Sequence, residues 1–185
     1  DQGYAVDRTG RDQVTVLFMG TLCIRKNAQG VLRAWARLKP RNARLLMCGP
    51  IEEWLAQVCP DELALPSVEA RGRVSNVAAA YAEADVFIMP SFEEGGPQVT
   101  FEAATFGLPL IASPMGDGGM AQKTDAIWPI DPYDIDSMAA ALERFIADAD
   151  LRAEYGARAF KAAPGFDWNV VGARRLEALR SALVV

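Results

Sequence analysis

The stretch "DVFIMPSFEEGGPQVTFEAATFGLPLIASPMG", Asp85 to Gly116, decides how this chain folds. It reads as an apolar strand, a Gly-Gly-Pro elbow, a short helix and a second apolar strand. "DVFIM" is apolar almost throughout, as a central parallel strand covered on both faces must be. Pro97 suits the first turn of a helix, and Gly95 and Gly96 let backbone approach a ligand closely. The amides of Gln98, Val99 and Thr100 are then expected to be free at the helix N-terminus, a natural seat for a phosphate-bearing ligand. Glu94 and Glu102 flank the elbow with seven residues between them. With eleven glutamates in the chain, about one pair at that spacing arises by chance. The pair therefore counts only because it straddles a strand–elbow–helix unit; otherwise Glu94 is a capping charge and Glu102 part of a solvated face.

On either side of this unit, short apolar runs alternate with helical patterns, which is the signature of an α/β domain with a parallel sheet. Strands are expected at 14–19, 44–48, 67–70, 85–90, 109–112 and 126–130. Helices are expected at 27–38, 51–58, 74–83, 97–106, 134–147, 149–162 and 167–182. In the first helix Val31, Leu32, Trp35 and Leu38 recur at helical spacing, Arg33 and Arg37 face away, and Asn27 is the expected N-cap. The fold class is a Rossmann-like doubly wound six-stranded parallel sheet, with helices on both faces and extra C-terminal helices that pack on its edge or leave it. Ligands of such sheets bind outside the carboxyl ends of the strands, at the switch point. Here that lies between the first and fourth strands, where loops 20–26 and 91–98 converge.

The composition narrows the chemistry. The 185 residues carry a net charge of −5, which argues against a broad grip on nucleic acid or anionic lipid. The absence of histidine excludes a Ser-His-Asp triad, a His-ligated zinc site and a His general base within this chain. Cys23, Cys48 and Cys59 form an odd set without metal-ligand spacing; Cys23 and Cys48, in or beside expected core strands, read as buried thiols, and a reducing, cytoplasmic setting is expected. No apolar run reaches the roughly 18 residues of a membrane span. The polar opening "DQGYAVDRTGRDQ" reads as a linker or edge over residues 1–12, ahead of a domain at 13–185.

Four further segments bear on the site. In "GTLCIRKN", Gly20 to Asn27, Arg25 and Lys26 stand together before a helix. They either grip a diphosphate, the guanidinium bidentately and the ammonium as a point charge, or are simply solvated. In "ARGRV", Gly72 and Arg73 either meet a nucleobase or form a turn with solvated arginines. "SPMGDGGM", Ser113 to Met120, reads as a flap or a permissive turn. In "FDWNVV", Asp167 is a credible N-cap, with Phe166 and Trp168 anchoring the last helix on the sheet.

Taken in order, "FMGTLCIRKNAQGVLRAW", "LLMCGP", "ARGRV", "AYAEADVFIMPSFEEGGPQVTFEAATFGLPLIAS" and "FDW" resemble the C-terminal, donor-binding domain of family 4 (group 1) retaining glycosyltransferases of GT-B fold, over residues 13 to 182. The resemblance implies that Glu94 contacts the donor sugar and Glu102 the ribose hydroxyls. It also implies that Gly95, Gly96, Pro97 and Gln98 bind sugar hydroxyls through backbone, and that Val99 and Thr100 meet the diphosphate. Gly20, Thr21 and Arg73 complete the donor-binding set, with Arg25, Lys26 and Glu94 as the catalytic candidates. Members often carry arginine after the strand-ending glycine, where this chain has Thr21; Arg25 is expected to do that work. They also often have glycine where Asn27 stands. The implied reaction moves a sugar, with retention, from a UDP- or GDP-linked donor to a glycan, lipid or small-molecule acceptor, without metal or other cofactor. The acceptor surface, and any peripheral membrane contact, would belong to an N-terminal half absent here, leaving the isolated domain inactive. A non-catalytic nucleotide-binding module and a GT-B sugar epimerase or phosphorylase are the alternatives. A dinucleotide-dependent dehydrogenase lacks its G-x-G-x-x-G turn.

Overall fold

The structure, a computed structural model, describes residues 6–183. Residues 1–5 of the expected linker, and 184–185, lie outside the described residues. Six strands, β1 (Val14–Met19), β2 (Ala43–Cys48), β3 (Val68–Gly72), β4 (Val86–Met89), β5 (Leu110–Ala112) and β6 (Ile127–Pro129), form one sheet. All pairs are parallel and the order is β3-β2-β1-β4-β5-β6. The chain runs outward from β1 to β3, crosses back beside β1 with β4, then runs outward again. The β1/β4 boundary is therefore the switch point, as the sequence implies.

Successive strand residues point to opposite faces, and each face has its own core. Val16, Phe18, Leu45, Met47, Ile88 and Ile111 meet α1 (Ala28–Leu38), α2 (Glu53–Val58), α3 (Pro60–Leu63) and α6 (Ile135–Ala147). Leu17, Leu46, Phe87, Met89 and Leu110 meet α4 (Val77–Glu83), α5 (Gln98–Thr105) and α7 (Ala149–Ala162). Trp35 is wholly buried on the first face and its indole N–H donates to Ser67 Oγ at 3.0 Å, so its polar atom is satisfied.

The C-terminal helices differ from expectation in one respect. α6 and α7 do not merely sit on the sheet edge. α6 covers one face beside α1, and α7 wraps around β6, with Leu151 and Tyr155 on the first core and Ala159 and Ala162 on the second. Of these last three helices, α8 (Trp168–Leu183), which follows a 3-10 turn at Ala163–Phe166, is the one that contributes no buried residue among the described residues. Asp167 caps it by accepting from Asn169 N at 2.8 Å. Phe166 stacks on Phe101 with ring centres 5.1 Å apart, as an anchor should. Trp168 does not anchor: it is 65% exposed, because the 3-10 turn swings the chain off α5 just after Phe166.

The described part of the N-terminal segment has no regular structure, yet it is held down. Arg8 donates to Ala84 O and Phe106 O, at 2.6 and 2.9 Å. Arg11 donates to Ala82 O and Glu83 O and pairs with Asp85 at 2.9 Å. Two arginines thus satisfy carbonyls at the C-terminal ends of α4 and α5, where cations are favoured.

Candidate active site at the β1/β4 switch point

The loops after β1 and β4 meet around Glu94. Lys26 Nζ lies 2.5 Å from Glu94 Oε1 and Arg25 Nη1 lies 3.3 Å from Oε2. Arg25 also donates to Glu93 O at 3.1 Å, and Phe92 N donates back to Arg25 O at 2.9 Å. The Lys26 and Glu94 side chains retain only 11% and 7% of their exposure, while Arg25 keeps 47%. Burial pushes the Glu94 carboxyl up, but the hydrogen bonds from Lys26 and Ser91 and the nearby Arg25 outweigh it and hold it below the usual carboxylate range. Of the two readings of "IRKN", the structure rules out simple solvation for Lys26. Gly20 makes room for it: a Cβ there would lie 2.9 Å from Lys26 Cε.

Residues that sequence reasoning missed hold this cluster in place. Ser91, fully buried, donates to Glu94 Oε1 at 3.0 Å. Ser113 Oγ in turn donates to Ser91 O at 2.6 Å and accepts from Gly116 N at 3.0 Å. Thr100 is fully buried and donates to Gly116 O at 2.7 Å, so its hydroxyl braces the elbow rather than facing out. "SPMGDGGM" is accordingly a packed turn, with Gly116, Asp117 and Met120 buried, and not an open flap. Nothing in the sequence joins Ser113 to Ser91, because that bond links the ends of two different strands, 22 positions apart.

Three expectations need correction. Asn27 is not a side-chain N-cap: it sits in the left-handed region (φ 55°) with no capping bond. Its side-chain amide instead donates to Pro132 O at 2.7 Å, tying the Lys26 loop to the loop after β6. The amides at the start of α5 are not all free, since Gln98 N bonds Gly96 O and Thr100 N bonds Pro97 O. Val99 N alone of the three has no partner among the described residues, because the elbow tightens into a turn that uses the other two. Pro97 is buried and precedes α5 as its N-cap residue. Gly95 and Gly96 are exposed, and a Cβ at either would meet nothing within 4 Å.

The remaining candidates lie around this centre. Glu102 is exposed on α5, its carboxylate accepting from the Tyr81 hydroxyl at 2.8 Å; burial, and then that carboxylate, push the Tyr81 phenol far up. Tyr81 was not singled out in the sequence, where it reads as a core residue of α4. Thr21 makes no side-chain hydrogen bond among the described residues, and Arg25, not Thr21, reaches the Glu94 carboxylate. Arg73 lies beyond β3, two strands from β1, exposed and without an ion pair among the described residues. All three cysteines are buried and free, and burial raises the Cys48 thiol to about 11. No group of three or more metal-ligating side chains occurs among the described residues, and no described helix is long and apolar enough to cross a membrane.

Residues 13–148 match the family described as "Glycosyl transferases group 1". The chain belongs to the group 1 glycosyltransferases. A D-inositol 3-phosphate glycosyltransferase of Kineococcus radiotolerans is 30% identical over 200 residues, covering 93% of this chain and 45% of that protein. The O-antigen chain mannosyltransferase B of Escherichia coli is 27% identical over 174 residues, covering 83% and 42%. Among solved structures, Anabaena Alr3699/HepE in complex with UDP and glucose superposes with a TM-score of 0.79 at 18% identity, over 92% of this chain and 49% of that one. The C-terminal domain of the group 1 protein LpcC from Francisella tularensis gives 0.71 at 16%, over 87% of this chain and 94% of its own. This group 1 chain thus spans under half the length of those curated relatives and carries the fold of a C-terminal GT-B domain.

Proposed function

We propose that this chain is the donor-binding half of a retaining glycosyltransferase, taking a nucleoside-diphosphate sugar with UDP or GDP as its carrier. The observation that carries the reading is the convergence of Arg25, Lys26 and Glu94 at the switch point. Glu94 fixes both cations from one side, leaving ammonium and guanidinium donors for an anion on the other. Charge-assisted hydrogen bonds of this kind are the strong ones. There the cations would stabilise charge as the bond from C1 to the diphosphate breaks and the acceptor hydroxyl, giving up its proton, bonds C1 on the same face. Val99 N at the start of α5 adds a backbone donor. Neither packing nor backbone geometry demands glycine at Gly95 and Gly96, which leaves close approach of a sugar as the reason for both. Glu102, held by Tyr81, would take the ribose hydroxyls, and Arg73 the base. The neighbour solved with UDP and glucose supports the donor class. Transfer itself would need a second domain to close over this edge.

Calorimetric titration with UDP, GDP, ADP and dTDP tests the reading. One diphosphate binds, and Glu102→Ala weakens it by about tenfold, the loss of one hydrogen-bonding carboxylate. Binding of none of the four, or equal affinity in the variant, contradicts the assignment.

A further inference from the structure

A groove of about 540 Å3 crosses the ends of β4, β5 and β6 beside the ion cluster. Ser91 and Phe92 line it from the first loop, Pro114 and Met115 from the second, Asp131 and Tyr133 from the third. Its size falls within the ~300–1,000 Å3 of small-molecule sites. Two of its walls are bonded to the Lys26 loop, through Phe92 N to Arg25 O and Asn27 Nδ2 to Pro132 O. It begins one side chain from Glu94, since Ser91 lines the groove and donates to that carboxylate.

The lining has a definite chemistry. Phe92 and Tyr133 form an aromatic pair with ring centres 4.9 Å apart, yet Tyr133 is 79% and Met115 48% exposed, so neither core explains them. Asp131 is the one charged side chain of the lining, and no lysine or arginine joins it. Its Oδ1 accepts from Tyr133 N at 2.9 Å, which leaves Oδ2 without a partner among the described residues. An anion finds no cation within the lining itself. An uncharged pyranose fits: its C–H face lies on an aromatic ring and its hydroxyls meet a carboxylate.

We infer that this groove is an acceptor subsite that seats the neutral sugar ring of a glycan against Tyr133 and Phe92, with a hydroxyl donated to Asp131. The assignment rests on the donor reading above. With the diphosphate at Arg25 and Lys26 and the transferred ring at Glu94, the groove is the next space along the strand ends. The donor domain then selects the acceptor as well, rather than leaving that to the other half of the enzyme.

The test is saturation-transfer NMR of methyl α-D-glucopyranoside, methyl α-D-mannopyranoside and methyl α-D-galactopyranoside, alongside nucleotide calorimetry, on the wild-type chain and on Tyr133→Ala. Because Tyr133 is so exposed, the substitution leaves the fold intact, as circular dichroism will show. At least one glycoside takes up saturation from the wild type, and the signal falls about fivefold in Tyr133→Ala while nucleoside-diphosphate affinity is unchanged. A signal that survives in Tyr133→Ala, or that UDP-glucose or GDP-mannose displaces, overturns the acceptor subsite. A chain that binds nucleotide but no glycoside sinks the subsite alone; one that holds a glycoside but no nucleotide sinks the donor reading and the acceptor assignment with it.

Discussion

Glu94 owes its position to residues that share no sequence neighbourhood with one another. Lys26 comes from the loop after β1, Ser91 from the end of β4, and Ser113, which orients Ser91, from the end of β5. The backbone beneath them is just as tightly fitted. A Cβ on Gly116 would lie 2.0 Å from Met89 O, while Gly116 itself bonds both Ser113 and Thr100. Gly116→Ala must therefore push the β5 loop off β4. We expect urea unfolding to show a loss of about 2 kcal/mol, as overpacking of a closed site generally costs. Glu94 and Glu102 stood out in the sequence because their spacing is fixed along one strand–loop–helix unit, and Lys26 because it stands beside Arg25 just ahead of a helix. Their supports did not: Ser113 and Tyr81 look like ordinary loop and core residues until the fold brings Ser91 and Glu102 alongside them.

An ion network joins β2, β3 and α4 on the sheet edge away from the site. Glu83 at the end of α4 pairs with Arg44 of β2 and with Arg71 of β3 at 2.7 Å, and Glu69 pairs with both arginines. The Arg71 hydrogen bond, opposed by partial burial and reinforced by Arg44, lowers the Glu83 carboxyl from 4.5 to about 2. Between those values the unfolded chain binds a proton that the folded chain does not, so stability falls as pH drops through that window. Urea midpoints measured from pH 4.5 down to 2 should decline, and Glu83→Gln should flatten the decline without abolishing it, since Glu94 is lowered as well. At this level the sequence was most informative. All six strands and the seven expected helical segments fall close to their expected positions, because short continuous apolar runs and apolar stripes at helical spacing are local signals. The short α3 was missed, since Pro60 restarts a helix just where α2 ends. The anchoring role expected of Trp168 failed because whether a helix start docks depends on the path of the turn before it, not on its own pattern.

The whole molecule separates stability from function by direction. Its two cores are closed by seven helices, while the carboxyl ends of the strands carry open loops with exposed Ile24, Ile51, Met115 and Tyr133. Polar residues at the same edge are tightly paired in the interior, at Lys26–Glu94, while Arg73 outside has no ion-pair partner among the described residues. The central claim is that Lys26 and Arg25, set by Glu94, read the diphosphate. The direct measurement is the calorimetric affinity of the bound nucleoside diphosphate against its monophosphate, for the wild type and for Lys26→Ala. The wild type should prefer the diphosphate by about tenfold or more, the yield of one charge-assisted bond to the outer phosphate, and Lys26→Ala, which keeps only Arg25, should narrow that preference. An undiminished preference in Lys26→Ala would contradict the account.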